Sequence, residues 1–351
     1  MSGAPPFLAA LGTQVQQCLT ELLAAEEERW ALVDPELRSP LQSLSQLIQA
    51  GGKRLRPAFC YWGFVGAGGD PSDPSVVLAG AAFELLHGFA LFHDDVMDGS
   101  ATRRGARTAH LVYSDRHQDH GWLGEPRRFG EGVAILVGDL AFVYADQLLA
   151  DANAEAWRIW NELRIELNIG QYLDIVGTAA SLRNRTGAER IARYKSGKYT
   201  VERPLHLGAA LAAPGRVSDL LPALSAYGLP LGDAFQLRDD MLGAFGNQDT
   251  IGKPGDDLIE GKPTPLLAIA TDRASGAQRE ILAAVGRPGL GADEVAAIQA
   301  VLIDTGACDE LNNVITSLVN EAVASLVEAP IDPSAKVALA DLACYVGSRE
   351  S

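Results

Sequence analysis

Residues 85–104 read LLHGFALFHDDVMDGSATRR, an apolar run that ends in three aspartates and then turns basic. On a helix, Asp94 and Asp98 are four residues apart and share one face, where their like charges repel. Asp95 points about 100° away from them. The three acids also fall near the end of the helical run, where the helix dipole disfavours carboxylates. A Mg²⁺ ion would explain this arrangement, because Mg²⁺ binds one or two carboxylates together with substrate phosphates.

Two arginines, Arg103 and Arg104, follow this acidic helix end directly. Paired arginines are typical of phosphate recognition, because the guanidinium fork matches the phosphate oxygens. Taken alone, this motif is explained more simply by an acidic helix end in solvent. A second stretch of the chain favours the ligand-binding interpretation.

That second stretch is residues 232–262, GDAFQLRDDMLGAFGNQDTIGKPGDDLIEGK. An apolar helix again ends in paired aspartates, Asp239 and Asp240, and basic residues follow at Lys253 and Lys262. Two acidic helix ends of this kind could face each other across one cavity. We expect them to hold several Mg²⁺ ions and a diphosphate between them, with the basic residues neutralising the remaining charge.

The composition limits the possible functions. The chain has 351 residues, of which 47% are hydrophobic, and a mean hydropathy of +0.05, which is enough apolar material for a large core. Acidic residues exceed basic ones, 45 to 29, which gives a net charge of −16. Such a protein should not bind nucleic acid nonspecifically. Any anion site must therefore be a local cluster of basic residues.

Three features of the sequence predict a cytoplasmic protein without a membrane span. The four cysteines are far apart and show no CxxC spacing, so we expect them to be reduced. The N-terminus has no charged and apolar stretch of the kind that forms a signal peptide. The longest apolar run, residues 76–92, is short for a membrane span and contains Glu84 and His87. We interpret this run as a buried central helix.

The hydrophobic periodicity predicts an all-α protein. Helices are expected at residues 6–31, 132–150, 154–178 and 217–243, and strand-like alternation is scarce. The polar segment 99–131 reads as a long loop or broken helix, a candidate lid. A Ser196–Gly197 pair inside a helical pattern predicts a kink that frees backbone carbonyls. With no repeat or domain boundary in view, we predict a single domain, residues 1–351, around a central cavity.

Further polar residues stand out by their spacing. Lys53 and Arg56 follow a Gly-Gly helix stop and share a face, although a solvated basic turn would look the same. His87 lies two turns before Asp94. It could donate a hydrogen bond to a diphosphate, or it could be a core histidine whose hydrogen bonds are satisfied within the protein. Gln171 and Asp174 are three apart on another helix, where a surface acid is the alternative.

These motifs resemble those of the trans-isoprenyl diphosphate synthases, the polyprenyl synthetase family, over about residues 40–270. The chain is most similar to bacterial short-chain members that make geranylgeranyl diphosphate. The matching elements are GGKRLRP at 51–57, HDDVMD at 93–98, FQLRDD at 235–240 and GKPGDDLIEGK at 252–262. The resemblance implies the all-α isoprenoid synthase helical bundle, usually a homodimer.

The resemblance also implies roles for individual residues. The resemblance implies three Mg²⁺ ions per active site, bound by Asp94, Asp98 and Asp239. Three further aspartates would support these ligands without binding the metal: Asp95, Asp174 and Asp240. Implied ligands of isopentenyl diphosphate are Lys53, Arg56, His87 and Arg104. Implied ligands of the allylic diphosphate (dimethylallyl, geranyl or farnesyl) are Arg103, Lys195 and Lys253, and Gln171 and Lys262 are further substrate-binding candidates. Gln236 and the Lys195–Ser196 carbonyl region would face the allylic cation.

The sequence departs from the family pattern in ways that bear on the product. The third aspartate of the second motif is Gly243 here, and the usual Lys-Thr pair is Lys195-Ser196. In the family, bulky residues four and five positions before the first motif form the floor of the product pocket. Here Phe89 is aromatic but Ala90 is small. One ring predicts a deeper pocket than that of a farnesyl synthase, and hence geranylgeranyl diphosphate.

Alternative functions remain open at this point. A farnesyl or longer-chain synthase differs only in the pocket floor. A class I terpene cyclase shares the fold and the first motif, but its second metal motif mixes Asn, Ser and Glu, and it has no use for Lys53 and Arg56. A noncatalytic regulatory subunit of a prenyl synthase is supported only by Gly243.

Overall fold

The computed structural model describes residues 4–181, 184–246 and 255–349. The chain is 79% helical, which confirms the all-α prediction. Its residues fall into two compact units. Among the described residues, the first unit contains Pro6–Tyr61 and Gly69–Ala154, and the second contains residues 4–5, Trp62–Gly68 and the chain from Glu155 to Arg349. The expectation of a single domain around a central cavity stays a prediction.

The first unit is built from six α-helices, one short 3₁₀ helix (Pro35–Leu37) and one small hairpin within the described residues. The helices are α1 (Pro6–Ala31), α2 (Arg38–Gln49), α3 (Leu55–Gly66), α4 (Pro74–Asp98), α5 (Ala109–Asp119) and α6 (Pro126–Leu148). α3 continues into the second unit from Trp62. The hairpin pairs β1 (Thr102–Arg103) with β2 (Ala106–Arg107) in antiparallel fashion.

The central helix α4 has the N-terminal signals that its sequence predicts. Asp73 is the N-cap, and its carboxylate accepts a hydrogen bond from the Ser75 backbone N–H at 2.8 Å. Pro74 occupies the first helical position, where its missing N–H costs nothing. The helix is 25 residues long and ends at the first aspartate motif.

α4 is buried by its neighbours because small residues allow close approach. Gly80 of α4 faces Val15 of α1, and an added Cβ would lie 3.0 Å from a Val15 methyl. On α6, a Cβ at Gly138 would lie 2.4 Å from the His93 ring of α4. Of the helices in the described residues, α4 alone is long and apolar enough to cross a membrane. However, 61% of its apolar window is buried inside the molecule, as is typical of a core helix.

The segment 99–131, which we expected to be a loop or broken helix, is largely regular. It forms the hairpin, α5 and the first turns of α6. α5 packs tightly on α6, since a Cβ at Gly130 would lie 2.0 Å from the His110 carbonyl oxygen. The sequence does not reveal this helix because few of its residues are apolar and they form no clear stripe at helical spacing.

The second unit is built from the remaining helices of the chain. They are α7 (Ala154–Ala179), α8 (Arg185–Ala192), α9 (Arg203–Ala212), α10 (Val217–Phe245), α11 (Asp256–Glu260), α12 (Pro265–Arg273), α13 (Gly276–Leu282), α14 (Ala292–Asp304), α15 (Ala307–Ser325) and α16 (Pro333–Ser348). A π-helical segment, Arg193–Glu202, joins α8 to α9. It lies at the position where the Ser196–Gly197 pair predicted a kink.

α10 is the helix around which this second unit packs. Ala234 and Leu237 of α10 belong to one buried cluster with residues of α12, α14 and α15. On another side, the Tyr227 hydroxyl donates to the Leu339 carbonyl of α16 at 2.7 Å. Pro230 lies inside α10 and is buried. The second aspartate motif is therefore carried by a helix that is fixed by several neighbours.

Candidate active site

The first aspartate motif forms the last turn of α4. Gly99 ends the helix in a left-handed conformation with φ of 65°, which a glycine adopts without strain. The backbone N–H groups of Gly99 and Ser100 both donate to the Asp95 carbonyl. Asp95 is buried, whereas Asp94 and Asp98 are half-buried. The two aspartates predicted to bind Mg²⁺ are thus more accessible than the one predicted to support them.

Arg103 contacts the motif from the hairpin that follows it. Its Nε and Nη2 atoms donate to Asp95 Oδ1 at 2.8 and 2.5 Å, and Nη2 lies 4.0 Å from Asp94 Oδ2. This guanidinium neutralises the buried carboxylate of Asp95. The side chain that was predicted to bind the allylic diphosphate therefore lies at the aspartate motif.

Arg104 brings the motif close to the GGKRLRP element within the same unit. Its Nη1 donates to the Leu47 carbonyl at 3.1 Å, and a Cβ added at Gly52 would lie 3.3 Å from its Nη2. Arg104 has a positive φ of 52°, which is uncommon outside glycine. Two elements predicted to bind isopentenyl diphosphate thus meet in the structure.

His87 lies in the same positively charged region. Its pKa is well below the ordinary value, first because burial disfavours the charged ring and then because of the charges of Arg56 and Arg104. The ring is therefore neutral at physiological pH and has one donor and one acceptor nitrogen. Lys53 and Arg56 are both half-buried.

A further arginine, Arg54, is buried beneath this region, and its role was not predicted from the sequence. Its guanidinium pairs with the buried Glu84 and donates to the Ile48 carbonyl at 3.0 Å. Arg54 has a positive φ of 51°. The signal in the sequence was Glu84, an acid inside an apolar helix, which requires a partner when it is buried.

Phe89, the expected pocket floor, belongs to an aromatic cluster on α4 and α6. Its ring centroid lies 4.8 Å from that of Phe142 and 4.6 Å from that of His93. These separations are typical of favourable tilted ring contacts. Phe142 was not among the predicted chain-length residues, because nothing in the sequence pairs it with α4. Ala90 is half-buried.

The second aspartate motif lies on α10, two turns from its end. The Gln236 amide nitrogen donates to Asp240 Oδ1 at 2.7 Å, so the amide oxygen is turned away from Asp240. Asp240 is 4% exposed, and its Oδ2 has no hydrogen-bond partner among the described residues. Burial, and then the charge of Asp257, raise the pKa of Asp240 well above its ordinary value. By contrast, the Asp239 side chain is 39% exposed.

The structure shows what lies opposite Gly243, the missing third aspartate. A Cβ at this position would be 1.9 Å from Asp257 Oδ2, so the Asp257 carboxylate fills the space of a side chain. Lys262 contacts Asp257 Oδ1 at 3.2 Å and Glu260 at 2.7 Å. Another predicted ligand, Lys253, lies outside the described residues.

α7 and the π-helical segment are in close contact beside α10. Lys195 Nζ donates to Asp174 Oδ2 at 2.6 Å, and the Asp174 side chain is only 9% exposed. At Gly170 a Cβ would lie 2.4 Å from the Lys195 backbone nitrogen. This contact between backbones fixes the position of Lys195. Gln171 and Ser196 are half-buried nearby in sequence.

A buried ion cluster that joins α7, the π-helical segment and the start of α9 was not predicted from the sequence. Glu166 of α7 accepts hydrogen bonds from Lys198 and, at 2.6 and 2.7 Å, from Arg203. Burial alone would raise the pKa of Glu166, but the hydrogen bonds from Arg203 and Lys198 hold it below its ordinary value. No spacing rule links residues 37 positions apart, so nothing in the sequence indicates this cluster.

The donors fit a hard divalent cation. The half-buried Asp94 and Asp98 and the partly exposed Asp239 offer carboxylate oxygens, which Mg²⁺ prefers. Within residues 4–181, 184–246 and 255–349, no preformed group of three or more His, Cys, Asp or Glu side chains could hold a metal. A Mg²⁺ ion that takes part of its ligands from a diphosphate needs no such group.

Comparison with known proteins agrees with this chemistry. The family model described as polyprenyl synthetase matches residues 38–302. A geranylgeranyl diphosphate synthase of Mycobacterium tuberculosis is 31% identical, over 84% of this chain and 80% of the relative. A geranylfarnesyl diphosphate synthase of Aeropyrum pernix is also 31% identical, over 86% and 92%.

A similar crystal structure is that of geranylgeranyl pyrophosphate synthase from Corynebacterium glutamicum, complexed with isoprenyl diphosphate and magnesium. It has a TM-score of 0.91 and 36% identity, and the match covers 97% of this chain and 99% of that one. The chain is a trans-prenyltransferase, and its family depends on a divalent metal. The chain belongs to the polyprenyl synthetase family, the trans-isoprenyl diphosphate synthases.

Proposed function

We propose that this protein condenses isopentenyl diphosphate head-to-tail with allylic diphosphates and releases geranylgeranyl diphosphate. The observation that carries the proposal is that two helices, α4 and α10, each present aspartates with a basic partner. Asp94 and Asp98 would bind Mg²⁺ on one side of the allylic diphosphate, and Asp239 on the other. We propose three Mg²⁺ ions per active site. When bound, these ions stabilise the negative charge that develops on the departing diphosphate.

The reaction breaks one C–O bond and forms one C–C bond. The allylic C–O bond ionises, and the diphosphate leaves with the bonding electron pair. The double bond of isopentenyl diphosphate then supplies the pair for the new C–C bond. A proton is lost from the adjacent carbon, and the departed diphosphate accepts it. The products are a prenyl diphosphate that is one isoprene unit longer and inorganic pyrophosphate.

The protein's own residues hold the two diphosphates and protect the cation. Lys53, Arg56 and Arg104 would bind the diphosphate of isopentenyl diphosphate, and the neutral ring of His87 would donate a hydrogen bond to it. Arg103, Lys195 and Lys253 would bind the allylic diphosphate, with further contacts from Gln171 and Lys262.

Dipoles rather than charges would stabilise the allylic cation. The amide oxygen of Gln236 is available because its nitrogen donates to Asp240. The π-helical geometry around Ser196 differs from the regular α-helical hydrogen-bond ladder, and π-helical turns are frequent at functional sites. Asp95, Asp174 and Asp240, each buried, would hold the basic and amide groups around them in place.

Chain length would be set by the aromatic cluster around Phe89, with the small Ala90 leaving space beside it. The named products of the relatives include both geranylgeranyl and geranylfarnesyl diphosphate, so product length has to be measured. The decisive experiment is incubation of the purified protein with Mg²⁺, isopentenyl diphosphate and dimethylallyl, geranyl or farnesyl diphosphate in turn. Geranylgeranyl diphosphate as the main product supports the proposal.

The same assay separates the alternatives. A shorter or longer main product would indicate a farnesyl or longer-chain synthase. Consumption of an allylic diphosphate alone, to give a hydrocarbon, would indicate a terpene cyclase. No condensation with any primer would support a regulatory subunit and refute the transferase.

We further propose that the protein acts in the cytoplasm as a homodimer. One face of α7 supports a second copy as the partner, because its apolar side chains are exposed: Ile165 by 54%, Ile169 by 49% and Tyr172 by 67%. Sedimentation equilibrium tests this. A monomer at micromolar concentration would contradict it.

A further inference from the structure

The C-terminal end of the described chain lies against the second aspartate motif. Arg349 directly follows α16 and is buried, with a side chain that is 3% exposed. Its guanidinium pairs with Asp239 Oδ1, donates to the Phe235 carbonyl at 3.0 Å and lies over the Phe235 ring at 4.0 Å from the centroid. Arg349 lies outside every motif that the sequence shares with the family.

A reciprocal contact fixes the same two segments. Arg238 of α10 donates from Nε and Nη2 to the Gly347 carbonyl at 3.1 and 2.7 Å. Each segment thus supplies an arginine to a backbone carbonyl of the other. Because both the guanidinium of Arg349 and its stem are buried against α10, the contact belongs to the packed interior and is not a surface ion pair.

We propose that Arg349 is a positioning residue of the second aspartate motif, and that it holds Oδ1 of Asp239 so that Oδ2 serves a Mg²⁺–diphosphate ligand. The inference rests on the function proposed above. A carboxylate with one oxygen fixed by a buried donor loses rotational freedom before the metal arrives. Hydrogen-bonding partners of this kind typically contribute 10- to 100-fold to metal affinity or activity.

The opposite effect, repulsion between the guanidinium and Mg²⁺, is weakened by the diphosphate. The proposed cluster of three Mg²⁺ ions, a diphosphate trianion and the carboxylates of Asp94, Asp98 and Asp239 has no net charge. The positive charge of Arg349 therefore meets no net repulsion from the complete cluster, whereas it would oppose a bare cation at Asp239. The proposal thus predicts that Arg349 matters most when metal and diphosphate bind together.

The test measures Mn²⁺ bound to the full-length protein by equilibrium dialysis, with and without inorganic pyrophosphate on both sides of the membrane. Mn²⁺ replaces Mg²⁺ because it accepts the same oxygen ligands. Arg349→Met keeps the apolar stem on Phe235 and removes the charge. We expect its affinity in the presence of pyrophosphate to fall about tenfold or more, and Arg349→Lys to restore part of that loss.

If Arg349 had only a structural role, its replacement would lower the thermal stability of the protein rather than its affinity for Mn²⁺. Arg238→Met removes the contact with Gly347 but leaves Arg349 beside Asp239, so we expect lower thermal stability with at most a small change in Mn²⁺ affinity. If Arg349→Met folds poorly, Arg349→Lys alone tests the proposal. We expect its Mn²⁺ affinity in the presence of pyrophosphate to be about threefold below that of the wild-type protein. The proposal is overturned if the folded Arg349 variants bind Mn²⁺ with pyrophosphate as tightly as the wild-type protein does, or more tightly. If the wild-type protein binds no Mn²⁺ with pyrophosphate, the proposed function fails as well.

Discussion

Replacement of Gly170 by alanine tests whether the close approach of α7 to the π-helical segment positions Lys195. An added Cβ would lie 2.4 Å from the Lys195 nitrogen, 2.6 Å from its Cα and 2.6 Å from the Tyr194 carbonyl carbon. All three are backbone atoms, so no side-chain rotation relieves the overlap. To reach an ordinary contact of 3.4 Å, the two elements must separate by about 1 Å.

Two free energies of opposite sign decide the outcome. Overpacking of this kind costs about 1–3 kcal/mol, and contacts with backbone place this site at the upper end. Alanine regains about 1 kcal/mol through its higher helix propensity. We therefore expect Gly170→Ala to lower the free energy of unfolding by about 2 kcal/mol in urea titrations.

A matched control isolates the helix propensity. Gly132 lies in α6, is exposed, and has no atom within 4 Å of an added Cβ. Gly132→Ala should stabilise the protein by up to about 1 kcal/mol. The separation of about 1 Å should also displace Lys195 from Asp174 and lower kcat/KM for the allylic substrate by about 100-fold. If Gly170→Ala were as stable and active as Gly132→Ala, the reasoning would be refuted.

Three further predictions address the pocket, the second motif and pH. Phe89→Ala should lengthen the main product by at least one isoprene unit, and Phe142→Ala should act in the same direction. The product is measured by chromatography of the dephosphorylated alcohols, and an unchanged product would place the floor of the product pocket elsewhere. Gly243→Asp should displace the Asp257 carboxylate and add a further acid near Asp240, whose pKa the charge of Asp257 already raises, so we expect kcat/KM to fall about tenfold. Asp257→Gly in that background should recover activity, whereas a more active single variant would contradict this reasoning. Burial lowers the pKa of His206 to about 3. As the pH falls below 6.5, His206 is protonated in the unfolded chain before it is protonated in the folded protein. The free energy of unfolding therefore falls by up to about 1.4 kcal/mol per pH unit. The stability lost by His206→Gln at pH 7 should therefore shrink by pH 4.5 in urea titrations, and a constant difference would contradict the burial of a neutral ring.

The sequence predicts the parts of the fold that depend on local signals. α4 begins at its Asp-Pro cap and ends at Gly99 because both signals act within one turn of the chain. The same holds for the first aspartate motif, which is visible as charges where an apolar helix ends, whereas α10 continues past Asp239 and Asp240 to Phe245. α5 was missed because its burial depends on α6, and no property of residues 109–119 alone reveals that neighbour.

The parts of the candidate site that escaped prediction are contacts between distant residues. Arg349 and Asp239 are 110 residues apart, and Gly243 faces a carboxylate of another helix. Phe142 meets Phe89 across α6 and α4, where Gly138 leaves room for the His93 ring. Such pairs follow from how helices pack, and one sequence does not contain that information in local form.

The central claim is that Asp94 and Asp98 act with Asp239 on one magnesium–diphosphate cluster. A crystal structure of the protein with Mg²⁺ and an unreactive allylic thiolodiphosphate tests it most directly. We expect Mg²⁺ ions coordinated by Asp94 and Asp98 on one side of the diphosphate and by Asp239 on the other. A diphosphate bound with metal at one motif alone, with the other facing solvent, would contradict the claim.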